Sequence, residues 1–173
     1  PITATDTSAE LATARNVTTG LSDAAGAKGY VVGGENPGPS DKIDSIEGVP
    51  IGISPGGSTS DYGELSASFR ESAGAGSPTH GYNWMGQNPS YVNAIEKFPF
   101  GASGSSSDVG ESTFVGVNVS CCQSTTAIFG CLGLDNPGTV QDKIDKMTYA
   151  SDTNATDVGE AVDALRHGSA TEV

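Results

Sequence analysis

The stretch Ser60-Asp61-Tyr62-Gly63-Glu64-Leu65-Ser66-Ala67-Ser68-Phe69-Arg70 decides the fold, because the chain repeats it. Its counterparts are Glu10-Leu11-Ala12-Thr13-Ala14-Arg15, Gly110-Glu111-Ser112-Thr113-Phe114 and Gly159-Glu160-Ala161-Val162-Asp163-Ala164-Leu165-Arg166. The glutamates at 10, 64, 111 and 160 lie 54, 47 and 49 residues apart. A hydroxyl-Asp pair precedes each one: Thr5-Asp6, Ser60-Asp61, Ser107-Asp108 and Thr156-Asp157. Short polar side chains of this kind bond nearby backbone and suit the opening of a turn.

Two further registers recur in the same order. An apolar strand runs into an Asn-Pro turn at Gly29-Tyr30-Val31-Val32-Gly33-Gly34-Glu35-Asn36-Pro37 and at Gly81-Tyr82-Asn83-Trp84-Met85-Gly86-Gln87-Asn88-Pro89. The third copy reads Ala127-Ile128-Phe129-Gly130-Cys131 with Asn136-Pro137. An alternating strand follows: Lys42-Ile43-Asp44-Ser45-Ile46, Ala94-Ile95-Glu96-Lys97-Phe98 and Lys143-Ile144-Asp145-Lys146-Met147. Its apolar residues lie three apart instead of two, which predicts a bulge or a twist.

Each unit therefore holds about four short strands with a period of about 50 residues, the length of a propeller blade. One such sheet cannot bury both faces by itself, so units must stack or close into a ring. The units run approximately 5–59, 60–106 and 107–155, with a partial fourth at 156–173, and residues 1–173 form a single repeat domain. The expected class is all-β.

Composition agrees. The 24 glycines and the 6% aromatic content suit many short strands joined by turns, and Leu-rich stretches of period 3.6 are missing. Eight basic residues against 21 acidic ones leave a net charge of −13. Nucleic-acid binding runs on clusters of Lys and Arg, so a polyanionic partner is excluded, and an anionic membrane surface is disfavoured for the same reason. No apolar run approaches the roughly 18 residues of a membrane span. An acidic, Lys-poor, small-residue-rich surface is similar to that of proteins from high-salt environments, where ions screen self-repulsion. The chain opens at Pro1, consistent with a removed Met or with a cut from a longer chain.

The double glycine closing Tyr30-Val31-Val32-Gly33-Gly34 resembles the kelch repeat. So does Thr156-Asp157-Val158-Gly159-Glu160 followed by a short strand ending in Arg, a pattern similar to kelch-like repeats in tailed-phage and haloarchaeal-virus tail, fibre and spike proteins. The resemblance covers nearly the whole chain. There are departures: Met85-Gly86 and Gly130-Cys131 stand where the double glycine would be, the late Trp of kelch units is missing, and Val117 replaces the Arg of Arg15, Arg70 and Arg166. The resemblance implies kelch-like propeller blades in a ring completed by another chain or by a further segment, since closed propellers have four to eight blades. It implies a viral structural protein on the virion surface or outside the cell, serving assembly and host-surface attachment. Its partners would be other copies of itself, other virion proteins, or a host glycan or protein. The alternative is a secreted or cell-surface lectin or adhesion module of a halophile.

Few residues suggest chemistry. His80 and His167 are the only histidines, in unlike contexts and without a nucleophile motif, so no catalytic residues are expected. Asp41, Asp44 and Glu47, with Asp142 and Asp145, could attract a hard cation, but a solvated strand face is the simpler reading and no metal or cofactor is expected. Cys121, Cys122 and Cys131 are an odd set without metal-ligand spacing, and at most one of the adjacent pair faces a core. Asn16, Asn118 and Asn154 open Asn-x-Ser/Thr triplets, and the first two are expected at corresponding positions of the repeat. Tyr82, Trp84, Asn88 and Tyr91 are the ligand-binding candidates, since aromatic faces beside amides hold sugars and peptides. Tyr82 and Trp84 could equally fill the space between units.

Overall fold

The computed structural model describes residues 10–23, 28–38, 41–50 and 58–166. The fold is all-β, with antiparallel sheets, one of them strongly curled. The first sheet is a meander of β1 (Thr19–Ser22), β2 (Lys28–Val32), β3 (Ser45–Pro50) and β4 (Ser60–Glu64). The second contains β5 (Ala73–Gly76), β6 (His80–Asn88), β7 (Ser90–Pro99) and β8 (Ser107–Val117), with the short β11 (Leu134–Asp135) added beside β8. The third runs through β9 (Ser120–Gln123), β10 (Ala127–Cys131), β12 (Lys143–Thr148) and β13 (Thr156–Glu160). The strand that opens each sequence unit is thus the last strand of the preceding sheet.

The Asp-x-Gly-Glu element is a bulge. Ile46 pairs with Gly63 and Glu47 with Asp61, which leaves Tyr62 as the extra residue. The same step occurs at Ile95 and Glu96 around Val109, and at Ile144 and Asp145 around Val158. In all three sheets the Asp carboxylate accepts the N–H of the glycine two residues on, Asp61 at 3.1 Å, Asp108 at 3.0 Å and Asp157 at 3.1 Å. The extra residue lies opposite the alternating strand and not on it, and that strand's three-residue spacing has another cause, since Ile95 and Phe98 pack into different core clusters on its two faces. Its register differs in the first unit: Ser45-Ile46-Glu47, not Lys42-Ile43-Asp44, matches Ala94-Ile95-Glu96 and Lys143-Ile144-Asp145.

The double-glycine register also moves. Gly33 and Gly34 have φ of 60° and 107°, Met85 and Gly86 57° and 136°, and Leu132 and Gly133 65° and 114°. The third counterpart is Leu132-Gly133, two residues beyond Gly130-Cys131. Before each first strand a non-glycine residue takes a left-handed turn: Val17, Glu71 and Asn118. Asn118 N–H donates to the Glu71 carbonyl and Glu71 N–H to that of Val17, both at 3.0 Å, so these turns form a ladder across the sheets. The ladder pairs Asn118 with Val17, not with Asn16. It likewise aligns Asn16 with Arg70, so Arg15 stands one place earlier than the sequence comparison put it.

The sheets stack in chain order, β1 against β5 and β5 against β9, and the apolar residues divide between the two junctions. Between the first and second sheets lie Tyr30, Val32, Ile46, Leu65, Phe69 and Phe98. Between the second and third lie Tyr82, Trp84, Met85, Ile95, Ile128 and Met147. Aromatic pairs repeat across these junctions: Tyr30 stacks on Phe100 with centroids 5.0 Å apart, and Tyr82 meets Tyr149 at 5.3 Å. Gly130 shows why small residues are needed, because a Cβ there would fall inside the Trp84 indole. Neighbouring strand residues point to opposite faces, so the joint burial of Ile46 and Glu47, or of Ile95 and Glu96, means these strands are covered on both sides.

Candidate functional site

The buried carboxylates form the most regular polar feature. Glu47, Glu96 and Asp145 follow the bulge isoleucines and lie 49 residues apart (47, 96, 145). Each sits on the third strand of its sheet and accepts bonds from the chain leaving the preceding unit. Glu96 takes the Ser66 N–H at 2.9 Å, together with the hydroxyls of Ser66 and Ser106. Asp145 takes the Ser112 hydroxyl at 2.6 Å, the Thr113 N–H at 2.7 Å and the Thr113 hydroxyl at 2.8 Å. Glu47 takes the N–H groups of Ala12 at 2.9 Å and Thr13 at 3.3 Å, the Thr59 hydroxyl and the Arg15 guanidinium. Arg15 is buried as well, and its remaining donors reach the Gly33 and Ser45 carbonyls. Burial alone would raise the Glu47 pKa; the Thr59, Ala12, Arg15 and Thr13 contacts outweigh it and hold the group below its ordinary value.

This corrects the reading of Glu47 and Asp145 as part of a solvated strand face. Both are buried, and both are used at unit junctions. A buried carboxylate is costly unless its oxygens are satisfied, and here each receives several donors. The missed signal was the Ile-acid pair at constant spacing, hidden by aligning Lys42-Ile43 with Lys143-Ile144.

The Asn-Pro turns carry the second feature. An open depression of about 260 Å³ is lined by Gln87, Pro89, Ser90, Tyr91 and Asn136, joining the β6–β7 turn to the Asn-Pro turn of the next unit. Arg70 braces it from behind: Nε donates to Gln87 Oε1 at 2.7 Å and the guanidinium pairs with Glu35. Asn136 N–H is held by the Val115 carbonyl at 3.2 Å. Amide, hydroxyl and phenol groups thus face one small opening, a set able to hydrogen-bond polyols or peptide backbone.

The ligand-binding candidates separate. Tyr91 lines this depression, and Asn88 lies in the same turn, half-buried. Tyr82 and Trp84 are buried between the second and third sheets, where they offer no face to a ligand from solution. Gln87, Ser90 and Asn136 were not singled out from sequence, since only the fold brings position 136 beside position 87.

The other candidates are quiet. His80 bonds Thr79 through Nδ1 at 2.8 Å; burial, then Lys97, lowers its pKa. His167 lies outside the described residues, as do Thr5-Asp6. Cys121 packs on the core, and burial pushes its thiol well up. Among the described residues no group of three or more His, Cys, Asp or Glu could hold a metal ion, and no helix is long and apolar enough to cross a membrane. Comparison with protein-family models gives no match for this chain, and comparison with curated proteins gives none either.

Proposed function

We propose that the chain is a kelch-like propeller module of a virion spike, turret or tail fibre, serving assembly and attachment to a host-surface glycan or protein. The observation that carries this reading is the carboxylate clamp repeated at successive unit junctions. It commits buried charge to holding one four-stranded meander to the next, as an element built for assembly requires. The acidic surface and the resemblance of the Asp-x-Gly-Glu and Gly-Gly registers to viral kelch-like repeats support the same reading. The depression at Tyr91 and Asn136 is the place for attachment. Gold-conjugated antibody raised against the chain, applied to particles and cells from the source culture, tests it. Labelling of purified virions is the expected result; labelling confined to cells or medium would overturn it.

The depression alone favours a second reading, a secreted or cell-surface lectin of a halophile. That reading predicts glycan-array binding lost on Tyr91→Ala, with no antibody label on virions.

A further inference from the structure

The junctions between sheets show what a unit needs on its trailing side, and among the described residues the third sheet lacks it. At the first two junctions Glu64 and Glu111 carbonyls accept the N–H groups of Ser106 and Ala155 from the next unit, both at 2.7 Å. The Ser66 and Thr113 N–H groups enter the next unit's carboxylate. The corresponding groups of the third unit are the Glu160 carbonyl and the Val162 N–H, and neither has such a partner among the described residues. The side chains agree. Tyr62 is 5% exposed and Phe69 4%, whereas their counterparts Val158 and Leu165 are 51% and 52% exposed. A Cβ on Gly110 would lie 2.7 Å from the Thr153 carbonyl oxygen of the next unit, while one on Gly159 meets nothing. Phe129 remains half-buried where Tyr30 and Tyr82 are covered by Phe100 and Tyr149.

The leading side of the first sheet is the complement. Val49 is only half-buried, whereas its counterparts Phe98 and Met147 are buried. Val31 is half-buried where Asn83 and Gly130 are covered. Its Glu47 clamp already accepts a residue without a hydroxyl, Ala12, beside the Thr59 hydroxyl that corresponds to that of Ser106 at Glu96. Val162 likewise has no hydroxyl, unlike Ser66 and Thr113.

We infer that the trailing face of the third sheet docks the first sheet of a second copy of this chain, the Val162 N–H entering that copy's Glu47 in place of its own Ala12 N–H. The inference deepens the assembly reading and rests on it. The contact is head-to-tail, so two copies close on each other only if the rotation permits and otherwise extend. With a net charge of −13 on each copy, it forms at high salt, where repulsion is screened.

Sedimentation equilibrium at molar salt tests it on four proteins: the natural chain, Val158→Asp/Leu165→Asp, Thr125→Asp at an exposed turn of the same sheet, and Ala12→Pro, which deletes the competing N–H. The natural chain and Thr125→Asp are expected to associate equally. The double aspartate variant should associate about tenfold or more weakly, because the contact would have to bury unpaired charge. Its unchanged circular-dichroism melt would show that the fold is intact. Ala12→Pro should associate more tightly. A natural chain that stays monomeric overturns the inference and leaves the virion-labelling test standing. Association that the aspartates do not weaken overturns this interface but not the assembly reading. Association unmoved or weakened by Ala12→Pro overturns the exchange at Glu47.

Discussion

Replacing Glu96 by Gln keeps the side chain's shape and removes its charge from the junction between the first and second units. The carboxylate accepts three bonds, from the Ser66 N–H, the Ser66 hydroxyl and the Ser106 hydroxyl, at a site 1% exposed. A hydrogen bond to a charged group contributes about 1.5–3 kcal/mol and a neutral one about 1 kcal/mol. Losing the charge on three bonds therefore removes about 0.5–2 kcal/mol from each. The new amide also turns one acceptor into a donor facing groups that themselves donate, although the two hydroxyls can rotate to accept. A loss of about 3 kcal/mol follows, a large part of the about 5–15 kcal/mol typical of a folded domain. For a chain of this size the midpoint should fall by about 6–12 °C, at about 2–4 °C per kcal/mol. Urea and thermal unfolding followed by circular dichroism measure it, and the fluorescence of the buried Trp84 supplies a second probe. Glu111→Gln is the comparison: that side chain is exposed, and the change should stay within about 0.5 kcal/mol. A Glu96→Gln effect as small as the Glu111→Gln effect would refute the clamp as a stabilising element. So would a double-mutant cycle with Ser106→Ala that shows no coupling.

Three further outcomes follow from the same structure. Gly130→Ala drives a methyl into the Trp84 indole and should destabilise by about 1–3 kcal/mol with a shifted Trp emission; wild-type stability and emission would contradict the packing. The folded-state pKa of Glu47 is depressed below its ordinary 4.5, so its contribution is full above that value and lost as pH falls through the folded value. Acid titration of stability should accordingly flatten in Glu47→Gln, and an unchanged acid limb would remove Glu47 from the account. Tyr91→Ala should leave the melting midpoint within a few degrees while abolishing glycan or receptor binding; intact binding would move the attachment site away from the depression.

The repeat made the all-β class and the order of elements legible in the chain, because each strand type recurs at nearly constant spacing. The bulge was not legible in the spacing of Ile95 and Phe98, which sit three apart because they face opposite sides of a strand covered on both, while the extra residue, Val109, lies on the next strand. The registers were harder. Gly130-Cys131 looks more like the end of an apolar strand than Leu132-Gly133 does, and only backbone geometry shows Leu132 in the left-handed turn used by Gly33 and Met85. The clamps are not legible in the sequence because Glu47 and Asp145 lie among other acids, Asp44 and Asp142, and a lone carboxylate carries no mark of burial. Their partners, Ser66, Ser106, Thr59 and Thr113, come from distant strands and are ordinary surface types in sequence. Trp84 and Tyr91 show the same limit in the site. Both are aromatics near an Asn-Pro turn, but one packs against Gly130 and the other lines the opening beside Asn136.

The central claim is that these units are built to join more of their own kind. The solution mass of the natural chain, measured at high salt and again after dilution to low salt, tests it most directly. The expected result is an assembly of two or more 17.4 kDa chains at high salt that dissociates on dilution, as unscreened negative charge drives the copies apart. A monomer of the same mass under both conditions would contradict it.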